Sequence, residues 1–207
     1  INQQENRRRL LGYPRLDTPN AAYRNLGNLR FQEMGQSWGF NSTRITQGMA
    51  LADLDNDGDL DVVANCLDAA PLIYQNLSSK PRIAVRLSGL APNTEGVGAR
   101  ITLSQGKFSQ TQEILAGGRY LSGDDYERVF AVPHTNDPTS VRVQWRSGKE
   151  SRIDKVEPNS IYVIKEEGSV ASQEPVQKEA APKTWFADQS SALNFIHHET
   201  DFDDFQR

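Results

Sequence analysis

The chain has 207 residues, with 23 Lys plus Arg against 27 Asp plus Glu, 15 Gly and 10 Pro. That length supports one or two domains with real cores, and a net charge of -4 excludes a surface dominated by one sign of charge. The single cysteine, Cys66, excludes an intrachain disulfide framework, and no apolar run approaches the roughly 18 residues of a membrane-spanning helix.

The first segment, "INQQENRRRL", has neither an initiating Met nor a basic-apolar signal pattern, so the expectation is an internal piece of a longer protein. Gln3 to Leu11 is compatible with a short helix, and Arg7 to Arg9 reads as a solvated charge run. Ala21 to Phe40 then introduces a phrase that returns twice. "LIYQNL" (Leu72 to Leu77) echoes "AYRNL" at an offset of 51 residues, and "TWFADQSSALNF" (Thr184 to Phe195) echoes "LRFQEMGQSWGF" at 155. Self-similarity of this kind marks a repeat architecture.

Between the first two echoes lies "ALADLDNDGDLDVVAN", with five aspartates in nine residues running directly into Val62 and Val63. Carboxylates this close repel one another, and strands normally exclude Asp. The spacing of Asp53, Asp55, Asp57 and Asp61 places alternate side chains on the inside of a tight loop, with the Asp59 backbone carbonyl as a further oxygen ligand. Gly58 stands where the chain must turn sharply, and Asn56 tolerates the left-handed region. An oxygen-only set without His or Cys predicts Ca2+ rather than zinc. Unlike an EF-hand, the loop continues into a strand, Leu60 to Asn65, and offers no glutamate at the twelfth position. Cys66 beyond it is expected to be a small buried residue.

From Lys80 onward short β-rich runs follow one another: "RIAVRL" (Arg82 to Leu87), "RITLS" (Arg100 to Ser104), "SVRVQW" (Ser140 to Trp145) and "IYVI" (Ile161 to Ile164). Turn-forming "SQGK" and "RSGK" follow two of them. Alternation puts Ile83, Val85 and Leu87 on one face, and Val141, Val143 and Trp145 on another. Val85, Leu87, Ile101, Val143 and Trp145 are expected in the core. "EGVGARI" lacks the third glycine and the strand-helix context of a dinucleotide site. In "GGRYLSG" the glycines suggest a bulge with Tyr120 packed inward, and His134 in "PHTND" is expected to be exposed. No nucleophile elbow of the G-x-S-x-G kind occurs. Thirteen Lys/Arg against ten Asp/Glu between Lys80 and Glu166 is too balanced for a nucleic-acid face. Glu167 to Lys183 has a linker composition. His197, His198, Glu199, Asp201, Asp203 and Asp204 in the closing segment could serve a metal or carbohydrate site, although a structural role is the better reading.

Several of these stretches together resemble known modules. Arg30-Phe31, Gly39-Phe40, Gly48 to Ala50, the Asp53 to Asp61 loop and "IYQN" (Ile73 to Asn76) look like one FG-GAP/VCBS-type repeat. "RLSG" (Arg86 to Gly89), "GVGAR", "GGRYLS" and "VQWRSG" (Val143 to Gly148) resemble the ASPIC/UnbV domain of cartilage acidic protein-like proteins. Arg146 stands where that family usually has proline, and "VFAVP" replaces a common Phe-Gly-Leu-Gly phrase. The resemblance implies four-stranded propeller blades carrying a calcium loop.

The resulting expectation is a mainly β chain: partial β-propeller blades with a calcium loop plus a small ASPIC/UnbV-like β-sandwich. The expected divisions are 1–79 as the end of a propeller, 80–166 as the sandwich, 167–183 as linker and 184–207 as the start of a second propeller-like region. No nucleophile-base pair or acid/base couple stands outside the aspartates, which favours a non-enzymatic binding scaffold. Its metal ligands are Asp53, Asp55, Asp57, Asp59 and Asp61. Its partners are the rest of a longer chain or a surface complex, with glycan as another candidate and nucleic acid excluded. Its place is outside the cytoplasm, at the cell surface or outer membrane (lipid-anchored upstream) or secreted. The alternative is an accessory part of a surface glycan-processing enzyme whose active site lies outside these residues.

Overall fold

Glycine and asparagine set the turns on which this fold is laid out, and β-branched runs fill the strands between them. The computed structural model describes residues 2, 3, 5, 8, 9, 12–14, 18–172, 187–192 and 195. Of the helix expected over Gln3 to Leu11, Gln3, Glu5, Arg8 and Arg9 are helical and the rest lies outside the described residues. The described residues up to Ser172 belong to one compact unit, and those from 187 onward to a second. In the second, Ser190–Ala192 forms a single 3-10 turn. The segment His197 to Asp204 lies outside the described residues.

In the first unit, β1 (Tyr23–Gly27) and β2 (Arg30–Glu33) form a hairpin. A three-stranded antiparallel sheet follows, with β3 (Thr46–Ala52), β4 (Asp61–Cys66) and β5 (Leu72–Tyr74) in that order. The aspartate loop joins β3 to β4, so it is a strand-to-strand connection as the sequence predicted. A four-stranded blade was implied by the resemblance, and this sheet has three strands. The free side of β3 is instead met by the short hairpin β9 (Gly118–Arg119) and β10 (Ser122–Gly123).

The remaining strands build two sheets on one core. The smaller has β11 (Arg128–Ala131) and β14 (Ser160–Lys165) on either side of β6 (Arg82–Ser88), β14 running parallel to it. The larger takes the order β15, β13, β12, β7, β8, where β7 is Arg100–Gln105 and β8 Phe108–Glu113. Its other members are β12 (Thr139–Gln144), β13 (Lys149–Ile153) and β15 (Val170–Ala171). All five residues expected in the core are there, with Val85, Ile101 and Val143 fully buried beside Phe130, Leu103 and Ile114. Gly106 and Gly148, both at positive φ, close the β7–β8 and β12–β13 hairpins at the two predicted turns.

Two expectations need correction. Val170 and Ala171, inside the stretch read as linker, pair with Glu150 and Lys149 and so extend the larger sheet. Their backbone groups find a strand edge there, which composition could not reveal. Tyr120 does not pack inward: it is 74% exposed at the hairpin tip, next to Leu121 at φ 52°. The residues that follow Tyr120 and Leu121 are instead the ones bonded to β3. Ser122 Oγ donates to the Met49 carbonyl (2.6 Å), and Asp125 N donates to the Leu51 carbonyl (2.8 Å). Asp124 Oδ1 accepts from Leu51 N (2.9 Å) and from Arg119 Nε.

Two stability predictions follow from this arrangement. Phe130→Ala removes a fully buried ring and is expected to cost about 3–5 kcal/mol, measured by chemical denaturation. Asp124 is the more specific test. Burial raises its pKa, but the Arg119 hydrogen bond, the Leu51 amide and the charges of Arg119 and Arg128 outweigh that and hold it below 3.8. Its contribution is therefore present above pH 3.8 and lost as pH falls through the lower folded-state pKa. Asp124→Ala is expected to cost about 1–2 kcal/mol at pH 7 and progressively less as the pH is lowered below 3.8, read from denaturation midpoints across an acid pH series.

Candidate metal centre

The loop between β3 and β4 is shaped by the two residues that the sequence marked as turn-makers. Gly58 has φ +83° and Asn56 φ 61°, both in the left-handed region. Those turns fold the aspartates back on the loop's own amides. Asp53 Oδ1 accepts from Asp57 N and Asp53 Oδ2 from Gly58 N, each at 3.0 Å. Asp61, 2% exposed at the start of β4, accepts from Leu54 N through Oδ2 and from Asn76 N through Oδ1. The loop is thereby closed at both ends by carboxylates.

One oxygen from each of Asp53, Asp55 and Asp61 lies within 4.8 Å of the others. Opposite ligands of a hard cation bound at 2.3–2.6 Å stand about 5 Å apart, so these three oxygens fit around one ion. The donors are all carboxylate oxygen, and Arg86 Nη2 lies 3.4 Å from Asp53 Oδ2. An Asp cluster able to hold a metal ion is therefore present.

Of the other two predicted ligands, Asp57 and the Asp59 backbone carbonyl, the side chains both face Arg82. Asp57 stands outside the triad: its Oδ1 accepts from Asp59 N and lies 3.1 Å from Arg82 Nη2. The Asp59 side chain is buried, with Oδ2 3.2 Å from Arg82 Nη2, yet neither of its oxygens has a hydrogen-bond partner. The ion pair is close but misaligned for a hydrogen bond. Burial pushes the Asp59 carboxyl up to about 6, Arg82 opposes this, and the charges of Asp57, Asp61 and Asp55 add to it. The buried Asp59 carboxylate thus has a charge partner in Arg82 but no hydrogen-bond donor.

Five residues around the loop carry no signal in the local spacing. Gln75 Nε2 donates to Asp55 Oδ2 (2.6 Å), and Asn76 Nδ2 donates to the Leu60 carbonyl (3.4 Å). Both belong to "IYQN", quoted above only as a family phrase. Arg82 donates to the carbonyls of Gly58 (3.1 Å), Asp57 and Ser78 (both 3.0 Å). Arg86 donates to Glu127 Oε2 (2.5 Å), Asn56 Oδ1 (3.2 Å) and Asp53 Oδ2 (3.4 Å). Glu127 is fully buried; burial raises its pKa, and Arg86 opposes that shift. His134 is exposed as expected. Cys66 is buried and unpaired, its Sγ directed at the Ala64 carbonyl.

Comparison with known proteins matches both halves of this unit. Residues 11–64 fit the family model described as FG-GAP-like repeat, and residues 89–171 the model described as ASPIC and UnbV. A search of curated proteins finds no match. FG-GAP-like repeats are propeller-type, typically extracellular modules, and neither family is generally catalytic. Among the described residues no helix is long and apolar enough to cross a membrane. The chain is an FG-GAP repeat protein with an ASPIC/UnbV domain, its aspartate cluster lying in the connection between two strands of the repeat.

Proposed function

We propose that this chain is a calcium-stabilised recognition module that works outside the cytoplasm, at the cell surface, and binds a protein or glycan partner without catalysing a reaction on it. The observation that carries the calcium reading is the convergence of Asp53, Asp55 and Asp61 within 4.8 Å. Flexible, oxygen-only coordination suits calcium better than magnesium, which keeps more of its water. Asp53, Asp55 and Asp61 would hold the ion, with Asp57 and the Asp59 carbonyl as the additional ligands the spacing suggests. Bound there, calcium neutralises carboxylates that otherwise repel one another across the loop.

The protein's own residues do the remaining work. Gln75 and Asn76 bind the loop to the end of β5, and Asp61 anchors its return to β4. A loop held this way is a rigid floor for the surface around it. The same unit also exposes aromatic and aliphatic groups, including Phe31, Trp38, Tyr120 and Leu121. Exposed aromatics on fixed backbone are the residues that protein and glycan partners use most.

The test is thermal unfolding in calcium and in chelator. Calcium at roughly 100 times its Kd is expected to add about 2.7 kcal/mol, a rise of about 5–10 °C in Tm. Asp55→Asn changes an exposed side chain and is expected to abolish most of that rise with little effect in chelator. An unchanged Tm in calcium would overturn the metal reading. Turnover of glycan, peptide or phosphoester substrates by the purified chain would overturn the non-enzymatic one.

A further inference from the structure

The β6 strand has two working faces. Ile83, Val85 and Leu87 point into the core between the two sheets. The alternate residues, Arg82, Ala84 and Arg86, point the other way and meet the aspartate loop. Gly58 lies so close that a Cβ there would stand 3.3 Å from Ile161 Cγ1 and 3.8 Å from the Ala84 Cβ. Ile161 is the β14 residue that pairs with Ala84. The loop backbone therefore rests on the outer face of the smaller sheet, with an arginine on either side.

These arginines are not loose surface charges. Arg82 spans the three carbonyls named above and two carboxylates, with its side chain 17% exposed. Arg86 is fixed from behind by Glu127, whose Oε1 has no hydrogen-bond partner. If Arg86 swung away, it would strand a buried carboxylate, which is costly. Its forward contact with Asp53, a residue of the metal-binding triad, is therefore held in place. Arg82 and Arg86 also lie between the two matched segments, 11–64 and 89–171, and belong to neither.

We infer that the aspartate loop is the latch between the repeat and the sandwich, and that Arg82 and Arg86 carry the stabilisation of a bound cation from the loop into β6 and β14. This rests on the calcium reading above, and the sandwich itself supplies no metal ligand. A cation on Asp53, Asp55 and Asp61 orders the loop. It thereby fixes the Asp57 and Gly58 carbonyls to which Arg82 is bonded. Competition between the cation and Arg86 for Asp53 is avoidable, because Oδ2 accepts from Gly58 N and Arg86 while Oδ1, bonded to Asp57 N, keeps a second lone pair for the ion.

Hydrogen-deuterium exchange of the whole chain, in calcium and in chelator, separates the possibilities by peptide. In the wild type, calcium is expected to slow exchange in 53–61, in 82–88 and in 160–165. At roughly 100 Kd the slowing approaches about 100-fold where opening of the strand requires opening of the loop. In Arg82→Gln the loop is expected to keep its calcium response while that of 82–88 and 160–165 falls at least about tenfold, the loss of coupling that the latch requires. A second variant, Arg86→Met with Glu127→Leu, removes both members of the buried pair, leaves Asp53 its two amide donors, and is expected to behave similarly. Calcium protection confined to the loop in the wild type would overturn the latch and leave the calcium reading standing. Faster exchange of 82–88 in calcium would show competition for Asp53 and overturn it too, as would full sandwich protection in both variants. No calcium response in the loop itself would overturn both readings.

Discussion

Five aspartates between Asp53 and Asp61 can share one short connection only if each charge is given somewhere to go, and most of this unit is arranged around that requirement. Asp53 and Asp61 are absorbed by backbone amides, Asp57 and Asp59 face Arg82, and Asp55 is met by Gln75. The amides come from the loop's own turns, which depend on the left-handed conformations of Asn56 and Gly58. The cations come from the sandwich. The two sources together still leave the Asp59 oxygens without hydrogen bonds, even beside Arg82.

This explains why repeat and sandwich belong to one compact unit instead of two beads on a string. The repeat sheet is approached from two directions by chain that comes later in sequence. Arg82 and Arg86 hold its loop, while the Gly118–Gly123 hairpin and the following Asp124 and Asp125 satisfy polar groups along the free side of β3. An uncovered strand edge exposes unpaired donors and acceptors that invite non-native pairing. Covering it with a hairpin whose tip residues remain exposed makes Tyr120 and Leu121 part of the surface, although their neighbours are committed to the interface.

How much of this was legible follows the range of the interactions. The loop, its two turn residues and the strand after it are encoded within about ten residues, so spacing alone reveals them. The core of the sandwich is equally legible because alternation in β6, β7 and β12 is a period-2 signal. The sequence-distant partners are not. Alternation assigns Arg82 and Arg86 to the face opposite Ile83 and Val85, and the default reading of an outward arginine is solvent. Glu127 in "DDYERVF" likewise has nothing in its neighbours to announce full burial. Asp57 shows the converse: its spacing marks it only as a ligand, and nothing near it in sequence announces the guanidinium 25 residues later that pairs with its Oδ1. Val170 and Ala171 carry no signal for a similar reason, because a two-residue edge strand is specified by the partner it joins.

The Arg86–Glu127 pair shows what such long-range contacts add. A buried ion pair is weak evidence of net stability, since desolvating both partners offsets most of their attraction. Here desolvation raises the Glu127 pKa even with Arg86 alongside. The pair's value is geometric. Glu127 precedes β11 and Arg86 lies in β6, so their contact fixes the direction of one guanidinium relative to two neighbouring strands. That direction brings Nη2 within reach of both Asn56 and Asp53. A lysine at position 86 could keep the charge but could not present separate nitrogens to Glu127 behind and to the loop in front. The fork of arginine is therefore the feature that lets one side chain serve the sandwich core and the aspartate loop together.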